Sequence, residues 1–222
     1  MTDLVDRVAA VWERIEAAGG TPERVTLVAV TKGHGVDVVR DALTAGLTDL
    51  GESYAQEMVA KVADVPHDGP VAPRWHFVGR IQTNKVRTIA PYVTLWHGVD
   101  RASAGTEIAR RAPGARVLAQ VNVTGEATKA GCTPEALPEL LDALRGAGLD
   151  VRGLMTIGPL GDRDAARRAF EKVREMAVFH SLEEVSMGMS DDFDVAVEAG
   201  ATMVRVGTAL FGPRPGPTGV RH

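Results

Sequence analysis

The sequence predicts a single-domain α/β barrel in which eight parallel strands alternate with helices. Three observations carry that expectation. Short apolar runs rich in β-formers recur along the 222 residues, each too short to be a helix. Amphipathic stretches at helical spacing separate these runs, and strict alternation implies a parallel sheet. The count of eight favours closure into a (β/α)8 TIM barrel over an open doubly wound sheet. Neither a GxGxxG after the first strand nor a P-loop is present. No composition break marks a second domain, so residues 1–222 read as one unit, with 211–222 a loose Gly/Pro-rich tail.

An extra helix opens the chain. Leu4, Val5, Val8, Trp12 and Ile15 share one face of residues 2–18, and Gly19-Gly20 stops it. Val25–Val30 is the first strand, and Val36, Val39 and Leu43 align the helix of about 36–45, which ends at Gly46. Residues 47–53 form a second strand and 54–65 a helix closed by Pro66. A Gly/Pro loop over 67–73 leads to strand 75–79, helix 81–90, strand 94–99, helix 101–111 and strand 116–123. Thr133-Pro134 reads as an N-cap and first turn for a helix that aligns Leu137, Leu140, Leu141 and Leu144. Strand 151–157 follows, then a helix marked by Ala166, Phe170, Val173 and Ala177. Strand 184–189, helix 191–199 and strand 203–210 complete the set.

Hydrophobic residues at 45% and charged residues at 24% give the balance of a water-soluble globular chain. The net charge of −4 contains no basic block, which argues against nucleic acid as a partner. Cys132 is the only cysteine, so no internal disulfide forms and a reducing compartment fits. The N-terminus lacks the continuous apolar core of a signal peptide, and no apolar run approaches the ~20 residues of a membrane span. A cytoplasmic location away from membranes is expected.

The candidate chemistry lies at strand ends. Lys32 stands where a buried strand gives way to a loop, the rim on which barrels build their sites. Burial there lowers an ammonium pKa and frees the amine to attack an aldehyde; the alternative is a lysine snorkelling into water. After strands seven and eight come Ser186–Ser190 and Arg205–Thr208, each with a glycine and a hydroxyl residue. Barrels often hold phosphate there, because glycine lets an anion approach and free amides point at it. Ser190 alone reads as the cap of the following helix and Gly207 alone as a bend; their pairing favours the phosphate reading. Arg205, within an apolar strand, points into the mouth or pairs with a carboxylate, since a lone buried arginine is costly. His76 either lines the mouth or is hydrogen-bonded core, and Glu52 and Ser53 either orient a ligand or satisfy backbone groups. No metal-ligand spacing is found. A buried lysine, a phosphate cradle and an arginine in one mouth point to pyridoxal 5′-phosphate (PLP).

The motifs VAVTK (28–32), LGESYAQE (50–57), WHFVGRIQTNK (75–85), QVNVTGEATKAG (120–131), GLMTI (153–157), VSMGMSDDF (185–193) and GATMVRVGTALFG (200–212) run almost end to end. On them the chain resembles the PLP homeostasis proteins, single-domain fold-type III relatives of the alanine racemase barrel. The resemblance implies that Lys32 carries the cofactor as an imine and that Arg205 faces the pyridine nitrogen. It implies that Ser190, Gly207 and Thr208 hold the phosphate, with Ser53 and His76 nearby. Ser53 departs from the family's usual asparagine, and the stretch between Phe179 and Glu184 is shorter than usual. The expected function is PLP binding and vitamin B6 and amino-acid homeostasis without strong catalysis, by a monomer that releases cofactor to PLP-dependent apoenzymes. Racemases of the related barrel add a catalytic tyrosine from a further domain; Tyr54 and Tyr92 match no such base. The alternatives are a weak racemase-like enzyme and a barrel that binds another phosphate compound without an imine.

Overall fold

The computed structural model describes residues 2–65, 72–126 and 129–214. Most of the loop expected at 67–73, residues 127–128 and the tail 215–222 lie outside these. Helix α1 (Thr2–Ala17) precedes β1 (Thr26–Val30), α2 (Val36–Thr44), β2 (Asp49–Glu52) and α3 (Ala55–Asp64). Next come β3 (Arg74–Phe77), α4 (Thr83–Ile89), β4 (Val93–Val99), α5 (Ala102–Arg111), β5 (Arg116–Gln120) and α6 (Leu137–Gly146). The chain finishes with β6 (Asp150–Met155), α7 (Arg163–Phe179), β7 (Glu184–Ser186), α8 (Phe193–Glu198), β8 (Met203–Val206) and α9 (Thr208–Phe211). All strands pair in parallel in chain order, and β8 closes on β1 with Thr26 opposite Met203 and Ala29 opposite Val206. The structure is the expected closed (β/α)8 barrel. Among the described residues, no helix is long and apolar enough to cross a membrane.

Strand alternation sorts the side chains into two environments. Leu27, Leu50, Trp75, Phe77, Trp96 and Val204 join the helices in one apolar layer. Into it α6 buries Leu137, Leu140, Leu141 and Leu144, and α7 buries Ala166, Phe170, Val173 and Ala177, as their spacing predicts. On the alternate strand positions, inside the barrel, only Leu95, Leu118, Met155 and Met203 form a separate apolar cluster, with Ile157 against it. His76, His97, Ser186 and Arg205 are buried as well. The barrel interior is therefore partly polar, and each polar group there needs a partner.

Several boundaries differ from expectation. The eighth strand stops at Val206 rather than 210, because Ser190 Oγ accepts the Gly207 and Ala209 amides and the chain turns into α9. Ser190 thus serves the start of α9, not the helix that follows it in sequence. Asp192 occupies the N-cap position of α8, and its carboxylate accepts the Met189 amide at 2.6 Å. Thr133-Pro134 forms a turn ahead of α6, whose own first turn carries Pro138. Phe211 closes α9 and Arg214 lines a cavity, so residues 211–214 are built into the fold.

A Cβ at Gly153 would overlap the Glu184 backbone carbonyl in the neighbouring strand, so β6 and β7 cannot keep their spacing with any other residue. Gly146 is exposed at the end of α6 with nothing within 4 Å of such a Cβ. Gly153→Ala is expected to cost about 1–3 kcal/mol in urea unfolding, and Gly146→Ala to gain roughly 0.4–1 kcal/mol. Equal effects would contradict the packing assigned to β6 and β7.

Candidate functional site

A cavity of about 200 Å³ opens at the C-terminal mouth of the barrel. Lys32, Ser190, Arg205, Gly207 and Thr208 all line it, joined by Val30, His34, Val78, Met155 and Ile157 on the barrel side. Met189, Asp191, Gly212 and Arg214 complete the wall. Residues from the ends of β1, β7 and β8 thus converge although up to 176 positions separate them (32 to 208).

Lys32 follows β1 by two residues. Burial lowers its ammonium pKa from 10.5, Arg214 and then Arg205 lower it further, and Glu52 opposes them. The lysine backbone is held by Thr31, whose hydroxyl donates to Glu52 Oε1 at 2.6 Å. Lys61 of α3, also buried, donates to the Thr31 carbonyl at 2.7 Å and pairs with Glu52. Burial pushes the Glu52 carboxyl up while Lys61 and Thr31 work against that, and its Oε2 is buried without a hydrogen-bond partner. One carboxylate and one ammonium therefore clamp the strand end that presents Lys32.

Arg205 is 5% exposed and has no ion-pair partner among the described residues. Burial lowers its pKa to about 10, so it stays charged at neutral pH. Its Nη1 donates to Ser186 Oγ at 2.7 Å and its Nη2 to the Thr156 carbonyl at 2.8 Å. The contacts behind Ser186 continue inward. A hydroxyl that accepts from Arg205 still has its own hydrogen to give, and His97 Nδ1 stands 2.9 Å away to take it. With Ser186 as the donor, His97 carries its hydrogen on Nε2 and donates it to His76 Nδ1 at 2.9 Å. His76 in turn donates from Nε2 to Asp49 at 3.0 Å. The chain crosses the barrel interior from the mouth to the first residue of β2. Burial, then His76 and Arg205, push the His97 pKa well below 6.5, so its ring is neutral.

Two of the sequence-identified residues lie elsewhere. His76 sits within this chain and does not line the Lys32 cavity, and Ser53 lines a neighbouring cavity. Asp49, Lys61, Ser186, His97 and Arg214 were not singled out from sequence as acting at this site. The alternating histidines of WHF and LWHG, both at inward strand positions, are the one signal that would have pointed to the chain. Arg214 has no local signal, since it reaches the cavity by the fold of Gly212–Arg214; a Cβ on Gly33 would meet its Cδ at 2.9 Å. No metal-binding cluster is found among the described residues. The cavity as built offers an amine of lowered basicity, a guanidinium with donors to spare, and hydroxyls and amides for an anion.

The Asp49 end of the chain gives a pH signature. Burial acts to raise this carboxyl, but hydrogen bonds from His76 and Arg74 outweigh it and lower the pKa from 3.8 to about 2. A depressed folded pKa adds stability that is present above the unfolded value and lost as pH falls through the folded one. The contribution is thus full above about pH 4 and gone near 2. Asp49→Asn is expected to flatten the dependence of unfolding free energy on pH across that window; an unchanged slope would remove Asp49 as the anchor.

The family model for the alanine racemase N-terminal domain matches residues 5–215. A pyridoxal phosphate homeostasis protein of Pseudomonas aeruginosa is 43% identical, covering 96% of this chain and 97% of that protein. A protein of the same name from Escherichia coli is 36% identical, with 96% and 98% covered. PipY of Synechococcus elongatus, solved with PLP bound, superposes with a TM-score of 0.82 at 32% identity, over 94% of this chain and 100% of PipY. An alanine racemase of Clostridium difficile, 14% identical with a TM-score of 0.73, shares the fold, and this chain spans 58% of it. The chain belongs to the family of pyridoxal phosphate homeostasis proteins, built on the alanine racemase N-terminal domain.

Proposed function

We propose that this protein binds PLP at the barrel mouth and takes part in intracellular PLP and amino-acid homeostasis, holding and releasing the cofactor without strong catalysis of its own. The observation that carries the proposal is Arg205, a buried guanidinium that lines the cavity, is tied to Ser186 and Thr156, and forms no ion pair among the described residues. An acceptor there, such as a pyridine nitrogen, answers it. The remaining residues fit the rest of the same molecule. Lys32 supplies the attacking amine, and Ser190, Gly207 and Thr208 offer hydroxyls and amides for a phosphate. PipY, a relative of this chain, has been solved with PLP bound.

When bound, PLP supplies an aldehyde carbon and an electron-withdrawing ring. Arg205 keeps its proton at neutral pH, so it donates a hydrogen bond to the ring nitrogen and does not protonate it. That choice weakens the ring as an electron sink and favours holding over turnover. Neither Tyr54 nor Tyr92 lines the Lys32 cavity to serve as a second base. The recipients that fit are PLP-dependent apoenzymes whose own lysines compete for the aldehyde.

Visible absorption with and without added PLP tests the reading. A band expected in wild type and absent in Lys32→Ala, with borohydride fixing the cofactor to Lys32, supports it; no band at excess PLP overturns it. Racemisation or decarboxylation of an amino acid at ordinary enzyme rates would overturn the holding role while leaving the cofactor site intact. The lysine also predicts a pH profile. Attachment should rise with an inflection below 10.5, and Arg214→Ala should move that inflection upward, because Arg214 lowers the Lys32 pKa. An inflection that stays in place would detach Arg214 from the site.

A further inference from the structure

A second cavity, of about 380 Å³, lies on the other side of the β2–β3 rim. Strand alternation separates the two: Val78 lines the Lys32 cavity, while its neighbours Phe77 and Gly79 line the second. A Cβ on Gly79 would overlap the Ser53 backbone, so the chain between the cavities is one close-packed layer. The second cavity is floored by Phe77 and Trp96 from the strands, with Ile81, Val86 and Ile89 from α4 and the loop leading into it. Its polar wall includes Arg80 and Lys85 and no carboxylate.

The positive charge of this cavity is unanswered among the described residues: Arg80 and Lys85 form no ion pair and no side-chain hydrogen bond there. Beside them the floor is apolar, built from the buried side chains of Phe77, Ile81, Val86, Ile89 and Trp96. Two cations with no carboxylate in the wall, set against an apolar floor, together describe one ligand chemistry.

We propose that this cavity binds a small organic anion: a carboxylate on an aliphatic body, its charge met by Arg80 and Lys85 and its hydrocarbon lying on Phe77, Ile81 and Ile89. The size suits such a molecule, since ligand sites run to about 300–1,000 Å³. The site does not depend on PLP, because Lys32 takes no part in it.

Titration of 4-methyl-2-oxopentanoate followed by NMR of the isoleucine methyls and the tryptophan indoles tests the proposal. Saturable shifts at Ile81, Ile89 and the Trp96 N–H are expected at roughly millimolar concentration. They should persist in Lys32→Ala, weaken about tenfold in Lys85→Met and return in Lys85→Arg. Three outcomes overturn it: shifts confined to Ile157 of the Lys32 cavity, no loss in Lys85→Met, or no shifts at about 10 mM. Two controls test the paired chemistry. If 4-methylpentan-1-ol binds as tightly, the charge plays no part; if inorganic phosphate does, the apolar body plays none. Either result refutes the site as assigned.

Discussion

A guanidinium buried in a barrel must have its hydrogens accepted, and much of this interior is arranged to do so for Arg205. Removing it from water without partners would cost several kcal/mol. The Thr156 carbonyl takes one arm and Ser186 the other. Ser186 is hydrogen-bonded in turn to His97, His97 to His76, and His76 to Asp49, so each polar group behind the guanidinium has a partner. Five side chains from β2, β3, β4, β7 and β8 are thereby set by one requirement. It also accounts for the small size of the apolar cluster inside the barrel.

The same charge shapes the other half of the site. Arg205 and Arg214 stand close enough to Lys32 to lower its pKa, and burial does the rest. Glu52 lies on the opposite side of the balance, yet much of its charge is spent on Lys61 and Thr31. The lysine therefore faces two cations on the cavity side and a largely neutralised carboxylate behind it. Such a lysine gives up its proton readily, and a phosphorylated ligand entering the mouth meets positive charge on several sides. Attraction and reactivity come from one arrangement.

The parts of this arrangement written in local sequence were legible there. Apolar runs of strand length and leucines at helical spacing gave the barrel, because strand and helix burial follow periods of two and 3.6. Lys32, Ser190, Arg205 and Gly207 were legible because each interrupts a strand end where a barrel places its chemistry. What lay beyond reach is nonlocal. His97 and Ser186 are 89 positions apart, and nothing near LWHGV shows that its histidine meets a serine in VSMGM. Ser190 read as the cap of its own following helix, yet its hydroxyl serves amides 17 and 19 positions away. Ser53, at the end of the second strand, read as a residue that could orient a ligand, but just past β2 it lines the other cavity.

The polar chain is a lock and not a wire. Its hydrogen bonds line up in one direction: from Arg205 to Ser186, from Ser186 to His97, from His97 to His76, and from His76 to Asp49. Passing a proton to Asp49 would load a carboxyl whose pKa is near 2 at the expense of a guanidinium whose pKa is near 10, which is strongly uphill. The network therefore fixes the guanidinium in place and in charge, so the cavity presents a permanent donor. A barrel wired in this way holds one charged donor steady at its mouth, and that is the property the proposed holding role asks of it.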